Sequence, residues 1–180
     1  EYGTGLPVIC LHGYPLDHTI WEPLIPSLCK RVHLIFPDLR GYGKSPVPTG
    51  PYTMQEMAED VLTLVDQLGF SRLLFVGHSM GGYVSLQFAK AFTKRILGLI
   101  LIASHPFADD EKKREERYES IARIQEIGAV QALSDFPTKL SSDPKIQAFT
   151  RKIIQTTSAA GMIGSLHAMA EREEYSDFLL

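Results

Sequence analysis

The apolar run Leu73-Leu74-Phe75-Val76 passes into the helix-like stretch Tyr83 to Phe92 through six residues, Gly77-His78-Ser79-Met80-Gly81-Gly82. A strand can turn this sharply into a helix only where small residues flank the corner, because larger side chains there collide with neighbouring backbone. Gly77 and Gly81, two before and two after Ser79, meet that demand. The corner also sets the unpaired N–H groups of the helix's first turn beneath the serine, where they and the helix dipole favour developing negative charge. Ser79 is therefore a candidate nucleophile. A glycine-rich turn carrying an ordinary serine has the same pattern, so the rest of the chain has to separate the two readings.

From Val8 to Ala103 short apolar runs alternate with helix-like stretches, the pattern of a mostly parallel α/β sheet with helices on both faces. The runs Val8–Leu11, Val32–Phe36, Leu73–Val76 and Ile96–Ala103 are the expected strands, and a helix is expected around Trp21 to Cys29. The clearest helix is Thr53 to Gly69. Thr53-Met54-Gln55-Glu56 forms a capping box, Met57, Val61, Leu64, Val65 and Leu68 make one apolar stripe, and Gly69 suits the left-handed position past the C-terminus. That stripe is core packing, with no cofactor role.

Two further segments bear on Ser79. Leu11-His12-Gly13-Tyr14-Pro15 ends the first apolar run, and Asp38-Leu39-Arg40-Gly41-Tyr42-Gly43-Lys44-Ser45 follows the second. With the elbow Gly77 to Gly82, these three motifs resemble the α/β-hydrolase family, in the serine esterase and enol-lactonase branch. The resemblance spans Leu6 to about Ala103 and implies an α/β-hydrolase core over residues 1–103 and a helical cap over 104–180. It also implies that Ser79 is the nucleophile and that the backbone N–H groups of Tyr14 and Met80 form the oxyanion hole. His12 and His78 look catalytic by residue type, yet the family pattern gives both a structural role. In family order, the four expected strands lie as Val32–Phe36, Val8–Leu11, Leu73–Val76 and Ile96–Ala103.

The family triad runs serine, acid, histidine along the chain. After Ser79 only His105 and His167 are available as the base. His105 lies just past a strand, where it can line a pocket, and no later strand brings an acid behind it. His167 falls within the helical stretch Ala159 to Arg172, where a packed or solvated cap histidine is the natural reading. The sequence is accordingly expected to be a fragment of a longer hydrolase lacking the triad acid and base, with catalysis impaired in this piece.

Beyond Ala103 the composition shifts. Asp109 to Arg117 is nine consecutive charged residues of mixed sign, expected to form a solvated helix face leading into the cap. Asp143-Pro144 reads as an N-cap with proline at the first helical position, and Met162, Ile163, Leu166 and Met169 mark a further apolar helix face. A net charge of −3 gives no basic footprint for nucleic acid, and no apolar run is long enough to span a bilayer. Cys10 and Cys29 carry no metal or redox spacing and fit free thiols in a reducing cytoplasm.

The expected activity is hydrolysis of a small carboxylic ester or lactone through an acyl-enzyme on Ser79, without cofactor or metal. Haloalkane dehalogenases and epoxide hydrolases resemble this chain around His12 and Asp38 but carry aspartate where Ser79 stands. C–C bond hydrolases, cofactor-free haloperoxidases and acyltransferases keep the serine and remain alternatives, as does a non-catalytic ligand receptor on the same fold.

Overall fold

The computed structural model describes residues 1–179; Leu180, the last position of the expected cap, lies outside them. Four parallel strands form one sheet in the order β2-β1-β3-β4: β1 Leu6–Leu11, β2 Val32–Ile35, β3 Leu73–His78 and β4 Ile96–Ile102. This is the order the resemblance implied. Between them run α1 Ile25–Leu28, α2 Met54–Gln67 and α3 Met80–Ala91; beyond β4 come α4 Glu111–Ile127, α5 Ala129–Ala132, α6 Phe136–Leu140, α7 Pro144–Thr156 and α8 Ala159–Ala170.

Each face of the sheet buries its own core. Ile9, Leu11 and Phe75 meet α2 and α3 on one side, where the Phe75 and Phe88 rings lie 4.5 Å apart. Val8, Cys10 and Leu34 meet Trp21 on the other. β1 is flanked by a strand on either side, so Val8 to Leu11 are buried without alternation, as in parallel sheets covered on both faces. β4 is an edge, and there Leu97, Ile100 and Ile102 stay 44%, 46% and 41% exposed.

α2 follows its sequence. Thr53 Oγ1 accepts from the Glu56 N–H at 3.1 Å while Glu56 Oε2 accepts from the Thr53 N–H at 2.8 Å, a capping box worth about 1 kcal/mol. Met57, Val61 and Val65 are buried, and Gly69 closes the helix at φ 75°. Three expectations need adjustment. The helix expected around Trp21 to Cys29 is a 3₁₀ stretch, His18–Leu24, running into the four-residue α1, because Pro23 and Pro26 interrupt the α-helical hydrogen-bond ladder. β3 continues through His78 and α3 starts at Met80, so the turn between them is a single residue. The charged run is not uniformly solvated: α4 starts on the Asp110 cap, but Asp109 and Arg117 at the ends of the run are buried to 3% and 12% side-chain exposure.

The helices beyond β4 dock through the loop before α2. The Tyr52 hydroxyl donates to the Gly161 carbonyl at 2.7 Å and lies 2.8 Å from Ser165 Oγ. Gly41 and Gly161 meet backbone to backbone; a Cβ on Gly161 would fall 2.2 Å from the Gly41 carbonyl oxygen.

Candidate active site

Ser79 sits alone between β3 and α3 at φ 49° and ψ −115°, a conformation that an L-residue adopts only when its surroundings compel it, at about 1–3 kcal/mol. What compels it is visible. The Ser79 N–H donates to the Ile102 carbonyl at 2.9 Å, and the Ser79 carbonyl accepts from the Gly82 N–H and from Ser104 Oγ, both at 2.9 Å. The glycines around it have no room for a side chain. A Cβ on Gly77 would lie 2.5 Å from the Gly81 oxygen, and one on Gly81 would lie 2.2 Å from the Leu11 oxygen. Gly82 packs on Ser104 in the same way, at 2.3 Å.

The loop after β1 closes on this corner. A Cβ on Gly13 would come within 3.0 Å of Ser79 Cβ, so the backbone leading into Tyr14 abuts the serine, while Met80 opens α3 on its other side. Of the sequence-predicted site residues, Ser79, Met80 and the Tyr14 loop are thus brought together. The N–H of Met80, in the first turn of α3, belongs to the group that has no intrahelical acceptor.

The histidines divide clearly. His12 is fully buried; its Nδ1 lies 3.1 Å from the Gly13 carbonyl and its Nε2 accepts from the Leu39 N–H at 2.9 Å. Burial pushes its pKa down to about 4, so it stays neutral and ties the two motif loops together. His78 lies edge-on to Trp21 at 6.5 Å, and burial lowers its pKa as well. His105 is exposed beside Tyr83 and Phe107, with Nε2 3.4 Å from the Tyr83 hydroxyl. His167 packs edge-on against Tyr118 with ring centroids 5.4 Å apart. Among the described residues no histidine nitrogen hydrogen-bonds Ser79 Oγ.

The Asp38 motif builds a loop. Asp38 accepts from the His18 and Lys44 N–H groups, each at 2.9 Å, and pairs with His18 Nδ1 at 2.7 Å. Burial works to raise its pKa, but these hydrogen bonds outweigh that and hold the carboxyl below the usual carboxylate range. Gly43, at φ 50°, leaves space that a Cβ would contest with the carboxylate at 2.1 Å. Asp17, His18 and Asp38 bring three possible ligand atoms within 4.8 Å of one another, yet Asp17 already caps Thr19 and Asp38 serves the loop. A groove of about 720 Å³ opens between this loop and α2, lined by Leu39, Pro46, Val61 and Leu64 among others; Ser79 does not line it.

Sequence reasoning missed Ser104, whose only signal is its place just past β4, and a buried cluster of Asp109, Arg117 and Arg172. Asp109 Oδ1 accepts from Arg172 Nη1 at 2.6 Å and Asp109 Oδ2 accepts from Arg117 Nε. Burial works against the Asp109 charge, and the two guanidiniums overcome it, keeping the carboxyl below its ordinary pKa. The Arg172 guanidinium lies 4.0 Å over the Tyr83 ring, one helical turn after Ser79.

Comparison with known proteins agrees with this geometry. A thermophilic esterase from Thermogutta terrifontis, solved with malate bound, superposes with a TM-score of 0.91 at 33% identity over 98% of this chain and 68% of that one. A soluble epoxide hydrolase from Corynebacterium sp. is 40% identical over 87 residues, 48% of this chain and 30% of that protein. A pimeloyl-[acyl-carrier protein] methyl ester esterase from Edwardsiella ictaluri is 37% identical over 99 residues, 55% of this chain and 36% of that protein. The chain thus spans about a third of the length of these two curated relatives. The alpha/beta hydrolase fold family profile matches residues 7–144, which include the loop after β1, the Asp38 loop and the Ser79 elbow; the chain belongs to that family.

Proposed function

We propose that residues 1–180 carry the nucleophile and oxyanion hole of a serine hydrolase acting on small carboxylic esters or lactones. The single observation behind this reading is a serine, not an aspartate, at the strained corner between β3 and α3. The chemistry follows from the atom presented. A serine oxygen that opened an epoxide or displaced a halide would leave an ether, which water does not cleave. Attack on an acyl carbon leaves an ester, which water can hydrolyse. Ser79 Oγ adds to the substrate carbonyl and gives up its proton to a base. The N–H groups of Tyr14 and Met80 stabilise the resulting oxyanion, each worth about 3 kcal/mol when aimed at it. Collapse expels the alcohol and leaves the acyl-enzyme, which water attacks in turn.

A serine hydroxyl is a weak nucleophile until a positioned base takes its proton. None of the described histidines reaches Ser79 Oγ, so residues 1–180 by themselves are expected to turn over p-nitrophenyl acetate slowly, at a rate that added imidazole raises by supplying a base. In this reading the helices beyond β4 act as a cap that roofs the serine. The esterase neighbour and the ester-cleaving relative from Edwardsiella support hydrolysis of an ester here. The test is acylation of Ser79 by p-nitrophenyl acetate plus imidazole, read by intact mass and by the peptide that carries it. Acyl transfer to Ser79, lost in Ser79→Ala, supports the reading. No Ser79 adduct, with ester cleavage no faster than imidazole alone gives, points to a non-catalytic receptor on the same fold.

A further inference from the structure

Parallel strands β3 and β4 pair in a register that sets His78 opposite Ile102. In that register the Ser79 N–H donates to the Ile102 carbonyl, as it does at 2.9 Å, and the next bond of the ladder would run from the Ser104 N–H to the Ser79 carbonyl. A different donor makes that bond. Among the described residues no backbone N–H from the β4 side reaches the Ser79 carbonyl; the Ser104 hydroxyl donates to it instead, at 2.9 Å. The cause lies between the two ends of the clamp. Ala103 stands at φ 47°, in the left-handed region that a residue with a Cβ adopts only under constraint, and this turn carries the Ser104 N–H out of the ladder. Ser79 and Ala103 are the only two non-glycine residues at positive φ among the described residues, and these two hydrogen bonds tie them together.

The carbonyl held in this way belongs to the peptide unit that also contains the Met80 N–H. That unit is trans, so its C=O and N–H point in opposite directions, and whatever fixes the oxygen aims the amide. The Gly82 N–H holds the oxygen from the helix side at 2.9 Å, and Ser104 Oγ holds it from the sheet side. A single bond would leave the peptide plane free to rock; two donors from different elements fix it. Ser104 is itself wedged in place, since a Cβ on Gly82 would lie 2.5 Å from Ser104 Cβ and 2.3 Å from its Oγ.

We propose that Ala103 and Ser104 are positioning residues that aim the Met80 N–H at the oxyanion. The left-handed turn at Ala103 delivers the Ser104 hydroxyl, and that hydroxyl fixes the plane of the Ser79–Met80 peptide. An oxyanion donor works at about 2.7–3.1 Å from the developing charge, so an amide free to rock loses much of its effect. The Ala103 side chain is exposed, so position 103 contributes its backbone turn rather than its packing. The inference rests on the assignment of Ser79 as nucleophile and of the Met80 N–H as an oxyanion donor.

The test times acylation of Ser79, read by intact mass with imidazole as base, by p-nitrophenyl acetate and by its thionoester analogue, whose carbonyl sulfur is a weak hydrogen-bond acceptor. It compares the chain of residues 1–180 with Ser104→Ala, Ala103→Val, Ala103→Asn and the double variant Ala103→Val/Ser104→Ala, each checked for folding by circular dichroism. β-Branched valine resists the left-handed turn, whereas asparagine tolerates it. Ser104→Ala and Ala103→Val should each slow the oxygen ester about fivefold, the effect of one neutral hydrogen bond, and the thionoester less than about twofold. Ala103→Asn should recover the wild-type rate, and the double variant should be no slower than either single, because both changes remove the same bond. If Ala103→Val fails to fold, Ser104→Ala decides. Equal slowing of the two esters in Ser104→Ala would reduce the bond to general support of the fold and overturn the proposal, and a double variant slowed by the product of the singles would overturn the route from Ala103 through Ser104. No adduct on Ser79 in the unaltered chain would overturn the hydrolase reading and this inference with it; an adduct with equal slowing of both esters would overturn this inference alone.

Discussion

Asp109→Asn changes almost nothing in shape and removes the only negative charge from a buried group of three. In the wild type the carboxylate, 3% exposed, takes hydrogen bonds from Arg172 at 2.6 Å and from Arg117. The amide leaves two guanidiniums without a counter-charge and turns one of its own N–H groups toward them. Removing one partner of a buried ion pair typically costs about 3–5 kcal/mol. At about 2–4 °C per kcal/mol for a chain this long, the melting temperature at pH 7 should fall by about 6–20 °C. The pH dependence follows from the direction of the Asp109 shift. Its folded pKa lies below the unfolded one, so its contribution is complete above about pH 4 and is lost as pH falls further. Thermal unfolding followed by circular dichroism at pH 7 and at pH 3 and below should show wild type and Asp109→Asn converging in acid. Combining Asp109→Asn with Arg172→Met should cost less than the two singles added together, because the second change removes a charge that the first left unpaired. A drop under about 2 °C at pH 7, or a gap that persists unchanged at low pH, would refute the reasoning.

Three other outcomes are expected. Ser104→Ala removes the 2.9 Å hydrogen bond to the Ser79 carbonyl and should cost about 1 kcal/mol of stability while slowing Ser79 acylation by about fivefold; an unchanged acylation rate would deny Ser104 its positioning role. His12 has a folded pKa of about 4 against about 6.5 unfolded, so the unfolded state binds the extra proton and stability should fall by up to about 3 kcal/mol as pH drops through that window; denaturant titrations should show this slope vanish in His12→Asn. Along β4, Ile100 is 46% exposed on an uncharged edge, and Ile100→Lys should lower light scattering of concentrated protein; equal scattering would show that association, if any, uses another surface.

The elbow was legible because one geometric demand, a one-residue turn from strand to helix, imposes several residue identities at fixed spacing. Gly77, Gly81 and Gly82 each sit where a Cβ would strike backbone or a neighbouring side chain, and that constraint is written in the letters. The capping box of α2 and the Asp143 cap of α7 were legible for the same local reason. What could not be read was long-range. Nothing near Asp109 announces Arg172, sixty-three positions later, and a run of nine charges reads as solvated until the fold turns its two ends inward. Ser104 reaches Ser79 only because β3 and β4 are neighbours, and the unpartnered Tyr14 hydroxyl is a property of the packed site. The stretch Trp21 to Cys29 failed locally, since its apolar spacing hid the effect of Pro23 and Pro26.

The central claim is that Ser79 is the nucleophile. Its most direct test is a fluorophosphonate probe with imidazole as external base, applied to the chain and to Ser79→Ala, followed by peptide mapping of every modified residue. The adduct is expected on the peptide containing Gly77 to Gly82, at Ser79 alone, and absent from Ser79→Ala. An adduct at any other residue, or labelling undiminished in Ser79→Ala, would contradict it.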